Sequence, residues 1–167
     1  MIRQADARDI PAILDIYNDA ILHTTAVYDY EPHPLERRKQ WYDAKVEEGY
    51  PVLVYESDGR VAGFASFGPF RAWAAYRYTI EHSIYVHRDF RKQGIGQALL
   101  ERLIDIANER EYAVMVGGID ASNENSIRLH EKLGFRHSGT IAKAGYKFGR
   151  WLDLAFYQRE LNGPKQP

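Results

Sequence analysis

A chain of 167 residues, 45% of them hydrophobic, is long enough for one well-buried core and too short for two ordinary domains. Lys and Arg total 22 and Asp and Glu 23, and this formal net charge of −1 provides no global field for a polyanion, so nucleic acid is not an expected partner. The absence of cysteine excludes disulfides, thiolate metal sites and acyl-cysteine intermediates; no apolar run has membrane-spanning length and Met1 to Asp6 contains no signal-peptide core, so no membrane partner is expected and the cytoplasm is the expected location.

Ile2 to Gln4 reads as a short strand. Asp6 is a plausible N-cap for a helix from Ala7 to Leu22, because Ile10, Ile13, Leu14, Tyr17 and Ile21 recur at helical spacing. Thr24 to Tyr30 reads as a loop. Pro34 is expected in the first turn of a second helix that runs to Glu48 and stops at Gly49. Pro51–Glu56 and Val61–Phe67 flank an Asp-Gly turn and predict a hairpin. Phe70 to Ala75 is a loop or a single helical turn, and Tyr78 to His87 an alternating strand. Gly94 to Arg110 is an amphipathic helix burying Ile95, Leu99, Leu103 and Ile106, and Ala113 to Ile119 is a β-branched strand. Asn123 to Leu133 is a short helix closed by Gly134. Phe135–Ala144 and Trp151–Leu161 are two last strands around Gly149, and Asn162–Pro167 is expected to be a disordered tail. The order β-α-α-β-β-β-α-β-α-β-β predicts a single α/β domain over 1–161: a mixed, mostly antiparallel sheet with helices on both faces.

The stretch from Val86 to Leu100 runs from strand through loop to helix N-terminus. There glycines let backbone N–H groups converge on an anion that the helix dipole favours, and Arg88, Arg91 and Lys92 add positive charge. A Walker A loop is excluded because Gln97 follows Gly96. The dinucleotide fingerprint is excluded because Leu99 stands where its third glycine belongs. The pattern left is Arg91-x-x-Gly94-x-Gly96. Read alone, it suits either an anion loop or a glycine-capped helix start that binds nothing.

That pattern resembles the pyrophosphate loop of the GCN5-related N-acetyltransferases (GNAT), which hold acetyl-CoA. Asn123-Glu124-Asn125-Ser126-Ile127-Arg128-Leu129-His130, followed by Gly134-Phe135, resembles the family's second signature in the right order and separation. Thr79–Val86 and Gly145–Trp151 are similar to the phosphinothricin and methionine sulfoximine acetyltransferase subgroup, and the resemblance extends from Ile2 to Leu161. It implies the GNAT fold, acetyl-CoA as cosubstrate and no metal. It places the pantetheine arm on the strand edge at Ile84, Tyr85 and Val86, with Asn123 bonding the arm. The pyrophosphate then lies on the main-chain N–H groups of Lys92, Gln93, Gly94, Ile95, Gly96 and Gln97, with Arg91 beside them. An ordinary N-cap is the alternative use of Asn123, and the two roles are compatible.

Acetyl transfer to an ammonium group needs a proton acceptor and a proton for the leaving thiolate. Glu81 is the expected base, matching the subgroup's acid. His82 is the alternative, and strand alternation sends the two to opposite faces. His130 is the expected acid, standing where many relatives have Tyr; a helical histidine packed against Leu129 or Leu133 is the bland alternative. No Gly-x-Ser-x-Gly elbow surrounds any serine, so direct attack in a ternary complex is expected.

On the substrate side, Arg71 and Arg77 are expected to clamp a carboxylate, with Phe70, Trp73 and Tyr76 as pocket walls and Ser83 near the base. Tyr28, with Thr24, Thr25 and Val27, is expected to close the other side. The expected substrate is a small L-amino acid or analogue such as methionine sulfoximine, methionine sulfone or phosphinothricin. The alternatives are a protein N-terminus, or a non-catalytic acyl-CoA binder. A homodimer is expected, with Tyr146 to Trp151 able to supply an interface.

Overall fold

The computed structural model describes all of residues 1–167. β1 (Ile2–Gln4) leads to a 3-10 turn at Ala7–Asp9, where the Asp6 side chain accepts from the Arg8 N–H (2.9 Å) and Asp9 from the Asp6 N–H (2.8 Å). α1 (Ile10–His23) follows, so Asp6 caps the turn that starts the helix rather than the helix itself. α2 (Leu35–Glu48) has Pro34 as its N-cap residue, one position before the expected first turn, and ends at Gly49. The hairpin is β2 (Val52–Ser57) with β3 (Arg60–Pro69). Gly68 and Pro69 therefore extend the strand expected to end at Phe67. A 3-10 turn at Ala74–Tyr76 precedes β4 (Thr79–Val86), and α3 (Ile95–Glu109), β5 (Val114–Asp120), α4 (Glu124–Lys132), β6 (Arg136–Lys147) and β7 (Arg150–Glu160) complete the chain.

The strands form one 7-stranded sheet in the order β1-β2-β3-β4-β5-β7-β6. Only β4 and β5 are parallel, joined by α3. Alternation assigns each side chain to one of two cores. Leu53, Ala65, Phe67, Ile80 and Met115 pack under α3 with Leu99, Leu100 and Leu103. Val52, Val54 and Phe64 pack under α1 with Ile13 and Ile16. Helices thus cover both faces: α1 and α2 on one, α3 and α4 on the other. The tail expected to be disordered is docked at its start: the Asn162 N–H donates to Asn108 (2.9 Å) and the Gly163 N–H to the Tyr112 carbonyl (3.2 Å).

Candidate active site

β4 and β5 are paired only at Thr79–Val114, Ile80–Met115 and Glu81–Val116; beyond that rung they separate, while β4 stays on β3 as far as Val86 and β5 stays on β7 as far as Asp120. A slit opens in the middle of the sheet, edged by Ser83, Ile84, Tyr85 and Val86 on one side and Gly117 to Asp120 on the other. The alternation that builds the two cores also sorts the slit. Glu81, Ser83 and Tyr85 point to the α1 face, and His82, Ile84 and Val86 to the α3–α4 face.

On the α1 face, Glu81 is half-buried and accepts no hydrogen bond from the protein. Burial raises its pKa above the ordinary carboxylate range, and the nearby Arg71 cation partly offsets this. A Cβ placed on Gly118 across the slit would lie 3.6 Å from Glu81 Oε2, with Leu154 and Phe156 beside it. Phe70 packs against Phe156 (ring centroids 6.4 Å apart) and Tyr76 (6.0 Å), and Arg71 lies over Phe70 at 4.2 Å. Arg71 is therefore brought to Glu81. Arg77 instead rests on the Tyr78 ring, 4.8 Å from its centroid. Trp73, expected as a pocket wall, stands 77% exposed. The Tyr85 side chain packs into α1 between Tyr17 (5.4 Å) and Phe64 (5.1 Å), leaving only its backbone to face the slit.

The loop Thr24 to Tyr30 closes this face, and it is tied down by residues that its own sequence does not reveal. Thr25 donates to Asp120, at the end of β5. Asp120 also accepts from the Ser122 N–H (3.0 Å) and lies 3.5 Å from Arg150. Lys147, only 3% exposed, donates from Nζ to the carbonyls of Thr24 (2.8 Å) and Val27 (2.7 Å). Tyr28 borders a cavity of about 320 Å³ shared with Tyr30, Gly145 and Lys147. A surface hollow of about 600 Å³ lies between Lys132 and Glu160 and contains none of the predicted site residues.

On the other face His130 is 4% exposed. Its Nδ1 lies 2.7 Å from the Ser126 carbonyl and its Nε2 3.1 Å from Nε2 of His82. The Ser126 oxygen only accepts, so Nδ1 carries the proton, and both ring nitrogens are engaged. The resting His130 therefore presents no unshared N–H to the slit. Its neighbours are His82 and Phe135 rather than Leu129.

The loop before α3 matches its sequence reading in geometry. None of the backbone N–H groups from Arg91 to Gln97 bonds to another protein group; the first to do so is Ala98, to the Gly94 carbonyl. Gly94, at φ +77°, adopts the left-handed turn that aims these donors outward, and the adjoining Lys92 (φ +62°) is left-handed as well. Arg91 is not free. Asp19 of α1 receives Arg88 at 3.1 Å and Arg91 at 3.4 Å, a partner that nothing in the local sequence signals. Asn123 caps α4 through Oδ1, accepting from the Ser126 N–H at 3.2 Å, and keeps its amide N–H groups for another partner. Free donors at a helix start thus lie beside a strand edge with no partner, and a half-buried carboxylate stands at the last rung before the slit opens.

Residues 11–135 match the family model described as the acetyltransferase (GNAT) family. The chain belongs to the GNAT acetyltransferase family. Among full-length relatives, the L-methionine sulfoximine/L-methionine sulfone acetyltransferase of Salmonella typhimurium is 48% identical over 166 residues, covering 99% of this chain and 97% of that protein. A phosphinothricin acetyltransferase from Sinorhizobium meliloti, solved in complex with acetyl-CoA, superposes with a TM-score of 0.94 at 34% identity, covering 99% of this chain and 93% of that one. A ribosomal-protein-alanine N-acetyltransferase from Brucella melitensis superposes equally well (TM-score 0.94, 46% identity, 96% and 99% covered).

Proposed function

We propose that this GNAT protein transfers the acetyl group of acetyl-CoA to the α-amine of a small L-amino acid or analogue of the methionine sulfoximine, methionine sulfone or phosphinothricin type. The observation that carries this reading is the sheet opening, with a desolvated carboxylate on one face and free backbone donors on the other. The N–H groups from Lys92 to Gln97 suit a pyrophosphate, and the absence of side chains at Gly94 and Gly96 leaves it room. The open edge from Ile84 to Val86 and the spare amide of Asn123 suit an amide-bearing arm, held as an added strand.

Acetyl-CoA, when bound, supplies a thioester electrophile. The amine approaches from the α1 face, where Arg71 takes its carboxylate and the Thr24–Tyr30 loop encloses its side chain. Glu81 accepts a proton from the ammonium, directly or through water, because its own ionised form is disfavoured by burial. His130, on the opposite face, gives the departing sulfur its proton. With no cysteine and no serine elbow, the amine attacks the thioester itself.

The substrate assignment rests on likeness to relatives together with the single cation at Glu81. The likeness to the Brucella protein supports a second reading, an alanine N-terminus as substrate. The deciding experiment follows thiol release from acetyl-CoA with a panel of amines: methionine sulfoximine, methionine sulfone, phosphinothricin, ordinary L-amino acids and a peptide beginning with alanine. Activity on the free amino acids and none on the peptide is expected. Preference for the peptide would replace the small-molecule reading.

A further inference from the structure

We propose that His82 and His130 form one proton-sharing unit in which His82 is a positioning residue, loading His130 with the proton that the leaving sulfur receives. This rests on the reading of His130 as proton donor given above. The two rings lie 14° from parallel with centroids 5.1 Å apart and Nε2 atoms 3.1 Å apart, which is the spacing of an edge-to-edge N–H···N hydrogen bond.

The protons can be placed one by one. Nδ1 of His130 must carry hydrogen, since it faces the Ser126 carbonyl. In the neutral pair its Nε2 is then a lone pair, so His82 donates from its own Nε2. That leaves Nδ1 of His82 as a lone pair, buried and without a partner. It is the one open acceptor in the pair. A proton taken up there lets the proton between the rings move across to His130, which then carries both of its N–H groups.

The bonds balance over a turnover. The ammonium loses its first proton to Glu81, which passes it to water; after attack a second N–H bond of that nitrogen breaks and, through water, an N–H bond forms on the pair, and as the C–S bond breaks the pair yields that proton to sulfur and returns to neutral. Apart from each other, the rings face Phe135, edge-on to both, and Gly117. No charged side chain faces them, and Glu81 points to the other side of the sheet. A Cβ on Gly117 would sit 2.7 Å from His82 Nε2 and 3.3 Å from His130 Nε2, so that glycine leaves the contact its space. Burial lowers the pKa of both rings, His82 further because of its neighbour, so the resting pair is uncharged.

The test is His82→Gln, compared with the parent and with His130→Phe. Glutamine keeps a hydrogen bond to His130 but cannot carry a proton. We expect kcat to fall about 10–100-fold, within the roughly 10²–10⁴-fold that a positioned proton carrier supplies, with acetyl-CoA affinity and Tm kept and the limb of the kcat–pH profile due to the pair removed. Parent-like kcat and pH profile in His82→Gln overturn the proposal. If His130→Phe is slow while His82→Gln is normal, only the role of His82 fails; if His130→Phe is fully active, the donor reading fails with it. Nitrogen-15 spectra of the unmodified protein give a second test that needs no variant. We expect Nε2–H on His82, Nδ1–H on His130 and uptake of one shared proton in acid; independent titration of the two rings overturns the unit.

Discussion

Glu81 holds an unpaired carboxylate in a half-buried position, so its ionisation costs energy both in the fold and in the reaction it serves. A carboxyl whose folded pKa is raised contributes stability at low pH, and loses it as pH rises through that pKa. Glu81→Gln removes this loss, so its Tm should exceed the parent's at pH 7 while kcat falls about 10²–10⁴-fold. The defect in kcat should narrow at high pH, where free amine is abundant. Melting curves and a rate–pH profile check both halves, and a normal kcat at pH 7 would take Glu81 out of the mechanism. The two arginines separate at the same scale. Arg71 lies near Glu81, whereas Arg77 lies on Tyr78. Arg71→Gln should raise the amino-acid KM roughly 10–100-fold, from the about 1.5–3 kcal/mol of a charge-assisted hydrogen bond. It also removes the cation that lowers the Glu81 pKa, so the acidic limb of kcat/KM should move to higher pH. Arg77→Gln should do neither, and steady-state kinetics of the pair across pH distinguishes them.

At the scale of elements, the Thr24–Tyr30 loop, the proposed substrate wall, has no secondary structure, and it is tied to the strands beneath it. Lys147 supplies much of that through two carbonyls, and burial lowers its pKa, an effect that the Asp29 carboxylate only partly offsets. Lys147→Met keeps the length and volume but leaves those carbonyls unpaired. We expect a loss of about 1–3 kcal/mol for an orphaned buried group, measured by urea unfolding, and a higher KM for the amine. The KM for acetyl-CoA should hold, because the donor loop belongs to α3 on the other face. An unchanged amine KM would show that the loop does not wall the substrate site.

In the proposed function, two ligands reach one slit from opposite faces of a single sheet. Parallel pairing of β4 and β5 stops after Glu81–Val116, and the flanking pairs hold each strand as they part. Binding at one face should therefore be separable from binding at the other. A Cβ on Gly96 would make only ordinary contacts, 3.6 Å from Val86 and 3.9 Å from Leu129, so Gly96→Val should fold with a Tm near the parent's. Its branched side chain would occupy the space above the free N–H groups. Calorimetry should then find acetyl-CoA binding lost, on the order of the 10²-fold that about 2.7 kcal/mol represents. Unchanged affinity in the folded variant would disprove the loop as the pyrophosphate site.

Periodicity and turn chemistry were enough to read every helix and strand in order, because each element buries a regular face and ends at a local signal such as Asp6, Gly49 or Gly134. The donor loop and the capping Asn123 were equally legible, since their function lies in backbone conformation and short spacing. The partnerships across the sheet were not. Asp19 reaching Arg88 and Arg91, Lys147 reaching Thr24 and Val27, and His82 meeting His130 join residues 48 to 123 positions apart. Their sequence separation carries no pattern, because side-chain contacts between elements depend on packing angle and register. The same limit explains Arg71 and Arg77: the sequence offered two cations in one loop, and only the path of the chain through the turn at Ala74–Tyr76 set one beside Glu81 and laid the other on Tyr78.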